Sequence, residues 1–444
     1  MGKESILNLT KRDIQELCLG SRPISNSSFN LLDSLIVDNC QFLSDVILPL
    51  NLLPFLTNLE TLEVRNCNSV KAIFDVKRTT QGRDMTSTGE TLPFSLKKLT
   101  LSQLPNLENV WNEDTHGILS MFCLQKVHVE NCKGLTSVFP TSVAKDIVEL
   151  KNLVVENCKG LMTIVAEDNI DPSLELTFPC PRVRSLKLQG LSKLKYFYYS
   201  SLKSDIYTHL ESHTVELLEC LSLGENGVKM ILLGEFQRNL LDNLKTLTLC
   251  FSSDVFEYEF LEQVPNTEKL VVCDGFFEKM FCCESPNNVD YNGLLLKLKV
   301  LHLKSLANLV SIGLSYLFTS ITAKSLAQLQ RMDIIDCESI EEIVSEKEGE
   351  KSEEDEIIFP QLSCLNLDSL SKLRRFYKGN LSFPLLEELS VTYCYEMETL
   401  CAGNVETGKL SQVAINDDEV IPLEIDLNFT LIKEFLKKVN IDIL

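Results

Sequence analysis

Histidine and tryptophan are scarce in this chain, with five His and one Trp in 444 residues. That leaves little raw material for acid–base catalysis or a histidine-built metal centre. Positive charge is short too: 42 Lys and Arg face 63 Asp and Glu, a formal charge of −21. A protein that tracks nucleic-acid phosphates, or docks on anionic lipid, needs a basic surface, so neither nucleic acid nor membrane is expected as a partner. Long apolar runs are missing. The longest nearly apolar stretch, Val46 to Leu56, is broken by Asn51 and falls well short of the ~20 residues that span a bilayer. The opening MGKESILNLTKRD holds no apolar core of a secretory signal, and Ile6 stands where N-myristoylation requires Ser or Thr. The sequon at Asn380-Leu-Ser is then a chance match. No C-x-x-C pair occurs among the 16 cysteines, which are spread along the chain. A reduced, cytoplasmic setting is therefore expected. No G-x-x-x-x-G-K-[ST] loop is present either.

What is present is composition and repetition. At 44% apolar and 24% charged, the chain has the make-up of a folded, water-soluble protein. One pattern, L-x-x-L-x-[LVI]-x-x-[CL], begins at Leu32, Leu59, Leu96, Leu124, Leu150, Val183, Leu218, Leu244, Thr267, Leu298, Leu329, Leu362 and Leu386. The second and third apolar slots lie two residues apart, so both point to one side of a short strand. One such strand cannot bury its own apolar side; stacking on neighbours makes a continuous core. The expected fold is α/β, a leucine-rich-repeat solenoid (horseshoe) with a parallel β-sheet on the concave face and short helices or loops on the convex face. The expected segments are a degenerate N-terminal repeat or cap over 1–31, the repeat array over 32–402, and an acidic tail with a capping helix over 403–444.

The ninth position ends the strand and turns inward. It holds Cys40, Cys67, Cys132, Cys158, Cys337 and Cys394, while Asn226 alone keeps the asparagine of the plainest repeats. Small buried thiols at the turn are the expected role. Cys132 and Cys158 stack closely enough to raise the question of a disulfide, but parallel side-chain vectors disfavour it. Pro140–Leu150 and Thr319–Leu329 read as similar short helices. Leu431, Ile432, Phe435, Leu436 and Val439 follow helical spacing after Asn428 and Thr430, taken as N-caps. The pattern reads as less regular between Leu218 and Thr267. A degenerate copy at Ile14, Leu17 and Leu19 leaves the amino end without an evident cap, which suggests a parent architecture continuing upstream.

Residues between the apolar slots line the concave face. They include the acids Asp38, Glu63, Glu130, Glu156, Asp333, Asp368 and Glu388 and the bases Arg65, Lys98, Lys126, Lys187, Lys269, Lys304 and Arg331. At ~4.8 Å per strand the lane runs roughly 60 Å, enough for a protein partner. The binding residues expected there are Lys126, His128, Glu130 and Glu156, with His302 and Lys304 second. Glu341 to Glu356 concentrates acid and reads as a solvated insertion. Trp111, Tyr198 and Tyr377 share an offset that suits packing on the outer flank. His209 and His213 lie four apart without a third ligand, and Cys282-Cys283 has no evident use. No cofactor, metal or catalytic residue is expected.

Two repeat phrases carry a resemblance. LQGLSKLKYFYYSS from Leu188 is echoed by LDSLSKLRRFYKGN from Leu367, and VENCKGLTSVF from Val129 by VENCKGLMTIV from Val155 and VTYCYEMETL from Val391. Phe178-Pro179, Phe359-Pro360 and Phe383-Pro384 stand where a strand is expected to follow. With the acidic insertion and the tail EIDLNFTLIKEF, this resembles the leucine-rich-repeat region of plant coiled-coil nucleotide-binding (CC-NBS-LRR) disease resistance proteins, over roughly residues 14–437. The resemblance implies non-catalytic recognition of a pathogen effector or modified host protein, and, in intact relatives, contact with the nucleotide-binding domain. This sequence shows neither the nucleotide switch nor the coiled-coil part, so the resemblance implies a truncated gene product, a partial gene model or a stand-alone repeat protein. The alternative is a substrate adaptor of a ubiquitin ligase, whose repeats also favour Cys at the ninth position.

Overall fold

The computed structural model describes residues 6–8, 32–40, 45–49, 52–75, 92–112, 119–166, 182–198, 218–234, 238–251, 259–278, 296–309, 316–345, 356–416 and 419–441. The chain forms two compact units, Met1–Leu240 and Leu241–Leu444. In the first, the strands Ile6–Asn8, Ser34–Asp38, Thr61–Arg65, Lys98–Ser102, Lys126–Glu130, Asn152–Glu156, Ser185–Gln189 and Cys220–Leu223 pair in that order, all parallel. In the second, Thr246–Cys250, Lys269–Cys273, Val300–Lys304, Arg331–Ile335, Cys364–Asp368, Glu388–Thr392 and Gln412–Ile415 do the same, and Glu419–Pro422 returns antiparallel at the edge. Each unit is a parallel β-solenoid, and the apolar slots explain why. Leu59, Leu62 and Val64 are fully buried, as are Leu150, Leu153 and Val155, and their counterparts along both ladders are buried too. Each such side chain contributes ~1.5–3 kcal/mol by leaving water. Thr267, the exceptional slot, is buried as well.

The turn after most ladder strands follows one rule. Its eighth-position residue takes a left-handed backbone, with φ of 52° to 61° at Asn39, Asn66, Gln103, Asn131, Asn157, Asp274, Ser305, Asp336, Ser369 and Tyr393. That conformation suits Asn and Asp and is costly for a bulky residue such as Tyr393. At nine of these ten positions the N–H reaches the carbonyl that ends the following strand, at 2.9–3.1 Å, as in Asn131 to Glu156 and Asp336 to Asp368. Tyr393 N–H donates instead to Asn416 Oδ1 at 2.7 Å.

The ninth-position cysteines complete the turn. Each Sγ donates to the carbonyl two residues back, at 3.0–3.4 Å, from Cys40, Cys67, Cys132, Cys158, Cys337 and Cys394. A small thiol thus fills the core and satisfies a turn carbonyl at once. Cys132 and Cys158 stay free, as expected. Burial pushes Cys67 up to about 11 and Cys337 and Cys394 up to about 12, from 9.0. The unfolded chain ionises these thiols first, so stability held below pH 9 is lost as pH rises toward 12. Thermal unfolding followed from pH 8 to 11 should show Tm falling through that window, with a shallower slope in Cys337→Ala/Cys394→Ala.

Behind the ladder lie short parallel strands rather than a row of helices: Val46–Pro49 with Ala72–Asp75 and Asn109–Asn112, then Ser137–Pro140 with Thr163–Ala166 and Tyr196–Tyr198. The second unit repeats this with Tyr316–Thr319 and Glu342–Ser345, and with Glu356–Ile358, Asn380–Phe383 and Val405–Thr407. Segments such as AIFD, TIVA and YFY are rich in the β-branched and aromatic residues that suit strands. The two foreseen helices run only over Thr141–Ala144 and Ser320–Ser325, because Leu150 and Leu329 must drop into the next coil's first slot.

Trp111 is buried and stacks on Phe74 at 5.7 Å, and Tyr377 is fully buried, so packing is their role. Phe359 and Phe383 are buried and stack on each other at 5.6 Å. Phe383 closes its back strand, so Pro384 sits in the loop beyond rather than opening a ladder strand. The Phe178-Pro179 pair lies outside the described residues. Near Leu218 the pattern does change: a helix, Glu225–Leu232, replaces the left-handed turn, and Asn226 Nδ2 donates to the Leu191 carbonyl at 3.0 Å.

The carboxyl helix, Leu427–Ile441, is capped by Asp426, whose Oδ1 accepts from Phe429 N–H at 2.7 Å. Neither Asn428 nor Thr430 is the cap. Thr430 is buried, accepting from Glu424 N–H and donating to the Asp426 carbonyl. Asn428 reaches sideways into the last turns. Its Oδ1 accepts from Thr399 Oγ1 and from the N–H groups of Leu400 and Cys401; its Nδ2 donates to the carbonyls of Cys401 and Gly403. Leu427 and Leu431 are buried, whereas Ile432 is exposed.

Candidate functional site

In most five-residue ladder strands the second and fourth residues face the core and the first, third and fifth face out; the third residue is buried at Thr100 and Asp333. Register then decides which outward side chains meet. On the first unit Lys126 lies level with Lys98 and Asn152, His128 with Thr100 and Val154, and Glu130 with Ser102 and Glu156. His128 Nε2 sits 3.6 Å from Glu156 Oε2 and 4.0 Å from Glu130 Oε2. Asn131 Nδ2 donates to Glu130 Oε1 at 2.9 Å, and Lys187 Nζ lies 2.6 Å from Glu156 Oε1.

Three of the four residues expected here, His128, Glu130 and Glu156, are therefore brought together. Lys126 stands apart at the other end of its strand. Glu156 is the hub, and Lys187, one repeat further on, is the partner that the sequence reading did not single out. The group is half-exposed, so its ion pairs add little to stability, ~0–1 kcal/mol each. Its pre-set charge pattern suits the recognition of a complementary surface.

On the second unit His302 lies level with Asp333, and its Nδ1 is 3.4 Å from Asp333 Oδ2. The same oxygen accepts from Arg331 Nε at 2.8 Å. That hydrogen bond holds the Arg331 guanidinium above its ordinary range, against the opposing effect of burial. Asp333 is buried, which makes it the fixed centre of this group. Lys304, expected as the partner of His302, lies instead level with Cys273 and Ile335. Arg331 and Asp333 were recognisable as lane residues, but only register shows that they meet His302.

Among the described residues one group places three metal-ligand atoms within 4.8 Å of one another: Cys250, Cys273 and Asp274. Its two sulfurs are bonded to each other, a pair brought together by strand register and marked by no sequence motif. His209, His213, Cys282, Cys283, Ile14, Leu17, Leu19 and the acidic stretch 346–355 lie outside the described residues. No helix among the described residues is long and apolar enough to cross a membrane.

The leucine-rich repeats described as those of plant disease resistance protein RPS2-like match residues 3–159 and 310–416. Among solved structures, a leucine-rich-repeat protein of Leptospira interrogans is 17% identical, with 92% of this chain and 89% of that one covered at a TM-score of 0.37. The functional domain of InlJ from Listeria monocytogenes, which includes a cysteine ladder, is 13% identical over 83% of this chain and 76% of that one, at 0.28. TLR13 in its complex with ssRNA13 is 13% identical over 85% and 75%, at 0.25.

Proposed function

This chain belongs to the RPS2-like leucine-rich-repeat family of plant disease resistance proteins, and from that premise we propose that it is the sensing part of a plant intracellular immune receptor. Leucine-rich-repeat solenoids are typically non-catalytic scaffolds for recognising proteins. The outward face of the ladder is the proposed contact surface, with His128, Glu130, Glu156 and Lys126 as one centre and His302 with Lys304 as a second. The proposed partner is a pathogen effector or a modified host protein, met in the cytoplasm, together with the nucleotide-binding domain where a relative carries one. The observation that carries the reading is the register that fixes His128, Glu130, Glu156 and Lys187 in one charged group on a rigid parallel sheet.

Proximity labelling of the full chain in leaf cells provides the test. Glu130→Arg combined with Glu156→Lys should reduce recovery of its specific neighbours at least tenfold, equivalent to about 1.4 kcal/mol of affinity. Glu108→Lys, beside a back strand, should leave recovery unchanged. If the doubly reversed chain retrieves the same neighbours as the native one, the assigned surface is wrong.

A further inference from the structure

We propose that Cys250 and Cys273 form a reversible dithiol–disulfide site on the outward face of the ladder, one that exchanges with a small-molecule disulfide of the glutathione class. Both residues occupy the last outward position of their strands, Thr246–Cys250 and Lys269–Cys273. The parallel register sets them opposite each other with Cα atoms 4.7 Å apart, inside the range that a disulfide spans. This proximity does not depend on the bond. The ladder hydrogen bonds hold the two strands in register, and Asp274 N–H ties the following turn to the Lys304 carbonyl at 3.1 Å. Opening the disulfide therefore leaves the sulfurs adjacent and ready to close again.

The contrast with the six ninth-position thiols is sharp. Those point inward, are buried, and donate to turn carbonyls. Cys250 and Cys273 are half-exposed on the face open to solvent, where a small disulfide can reach them. Exposed disulfides are the labile ones in exchange chemistry.

Oxidation proceeds in two displacements. The thiolate of one cysteine attacks a sulfur of R–S–S–R, forming a protein–S–S–R bond and releasing RS⁻. The second thiolate attacks the protein sulfur of that mixed disulfide, closing Cys250–Cys273 and releasing the second RS⁻. The two protons lost by the protein thiols convert both leaving groups to RSH. The protein dithiol loses two electrons and the small disulfide gains them; excess RSH drives the reverse. The carboxylate of Asp274, within 4.8 Å of both sulfurs, disfavours the attacking thiolate and so restrains the rate.

The chemistry holds whether or not the ladder face binds a protein, so its test needs no partner. The full chain would be equilibrated in mixtures of glutathione and glutathione disulfide, quenched in acid, differentially alkylated and mapped by mass spectrometry. Cys250 and Cys273 should convert together, at one midpoint, from alkylated to cross-linked, while Cys132 and Cys337 remain reduced throughout. Cys250→Ser should trap a glutathione on Cys273. Asp274→Asn, which suits the same left-handed turn, should speed closure several-fold. A pair that stays alkylated when the disulfide dominates, or stays cross-linked in excess glutathione, overturns the assignment. So does a Cys250→Ser chain that takes up glutathione at the exposed Cys123 but not at Cys273.

Discussion

Asn428→Ala is expected to destabilise the second unit by about 3 kcal/mol and to release the carboxyl helix. The one amide side chain satisfies five groups of the 399–403 turn: three donors through Oδ1 and two carbonyls through Nδ2. Each part-buried polar group that loses its partner costs roughly 1–3 kcal/mol, and partial access of water brings the sum below the simple total. Asn428→Asp keeps the acceptors but loses both donated bonds and sets a charge against two carbonyls, so it should be nearly as harmful. Urea unfolding would give the magnitude. Limited proteolysis would show whether cleavage now occurs in Leu427–Ile441. A variant with native stability and an uncut helix would mean that Asn428 is incidental.

Gly160→Ala should cost about 1–3 kcal/mol, the range for forcing extra volume into a packed site. A Cβ at Gly160 would collide with the carbonyl oxygen of Lys133, in the equivalent turn one repeat earlier. Backbone cannot step aside as a flexible side chain can, so neighbouring coils would have to part. At Gly134, the same place one repeat earlier, the added Cβ would stand 2.9 Å from Leu107 O. Gly134→Ala should therefore be the milder of the two. Chemical denaturation of both variants tests the order, and equal stability of Gly160→Ala with the native chain would contradict the close approach.

The inward residues were legible in the sequence because burial imposes an identity on them. Leu62 and Val64, or Leu153 and Val155, have no other reason to be aliphatic at that spacing. Outward contacts were less legible, since they depend on which strands are neighbours and in what register. Glu156 reaching Lys187, and Asp333 joining His302 to Arg331, cross repeat boundaries of differing length. The left-handed turn left a trace in Asn39, Asn66, Asn131 and Asn157. It is hidden where Gln103, Ser369 or Tyr393 stands, because only position, not residue type, marks those turns. Cys250 and Cys273 share an outward slot in successive copies, where burial imposes no identity, so residue type alone does not mark them as a pair. Asn428 reads as a helix cap from local spacing alone; its partners lie about 28 residues earlier.

The frame of each coil is closed by main-chain amides, inward aliphatics and thiols, and one residue of fixed torsion per turn. The first and third outward side chains of a strand take almost no part in that closure. Evolution can therefore rewrite them one at a time without first relaxing the scaffold, and neighbouring strands carry such changes side by side. The protein thus carries a surface that drifts cheaply on a skeleton that does not.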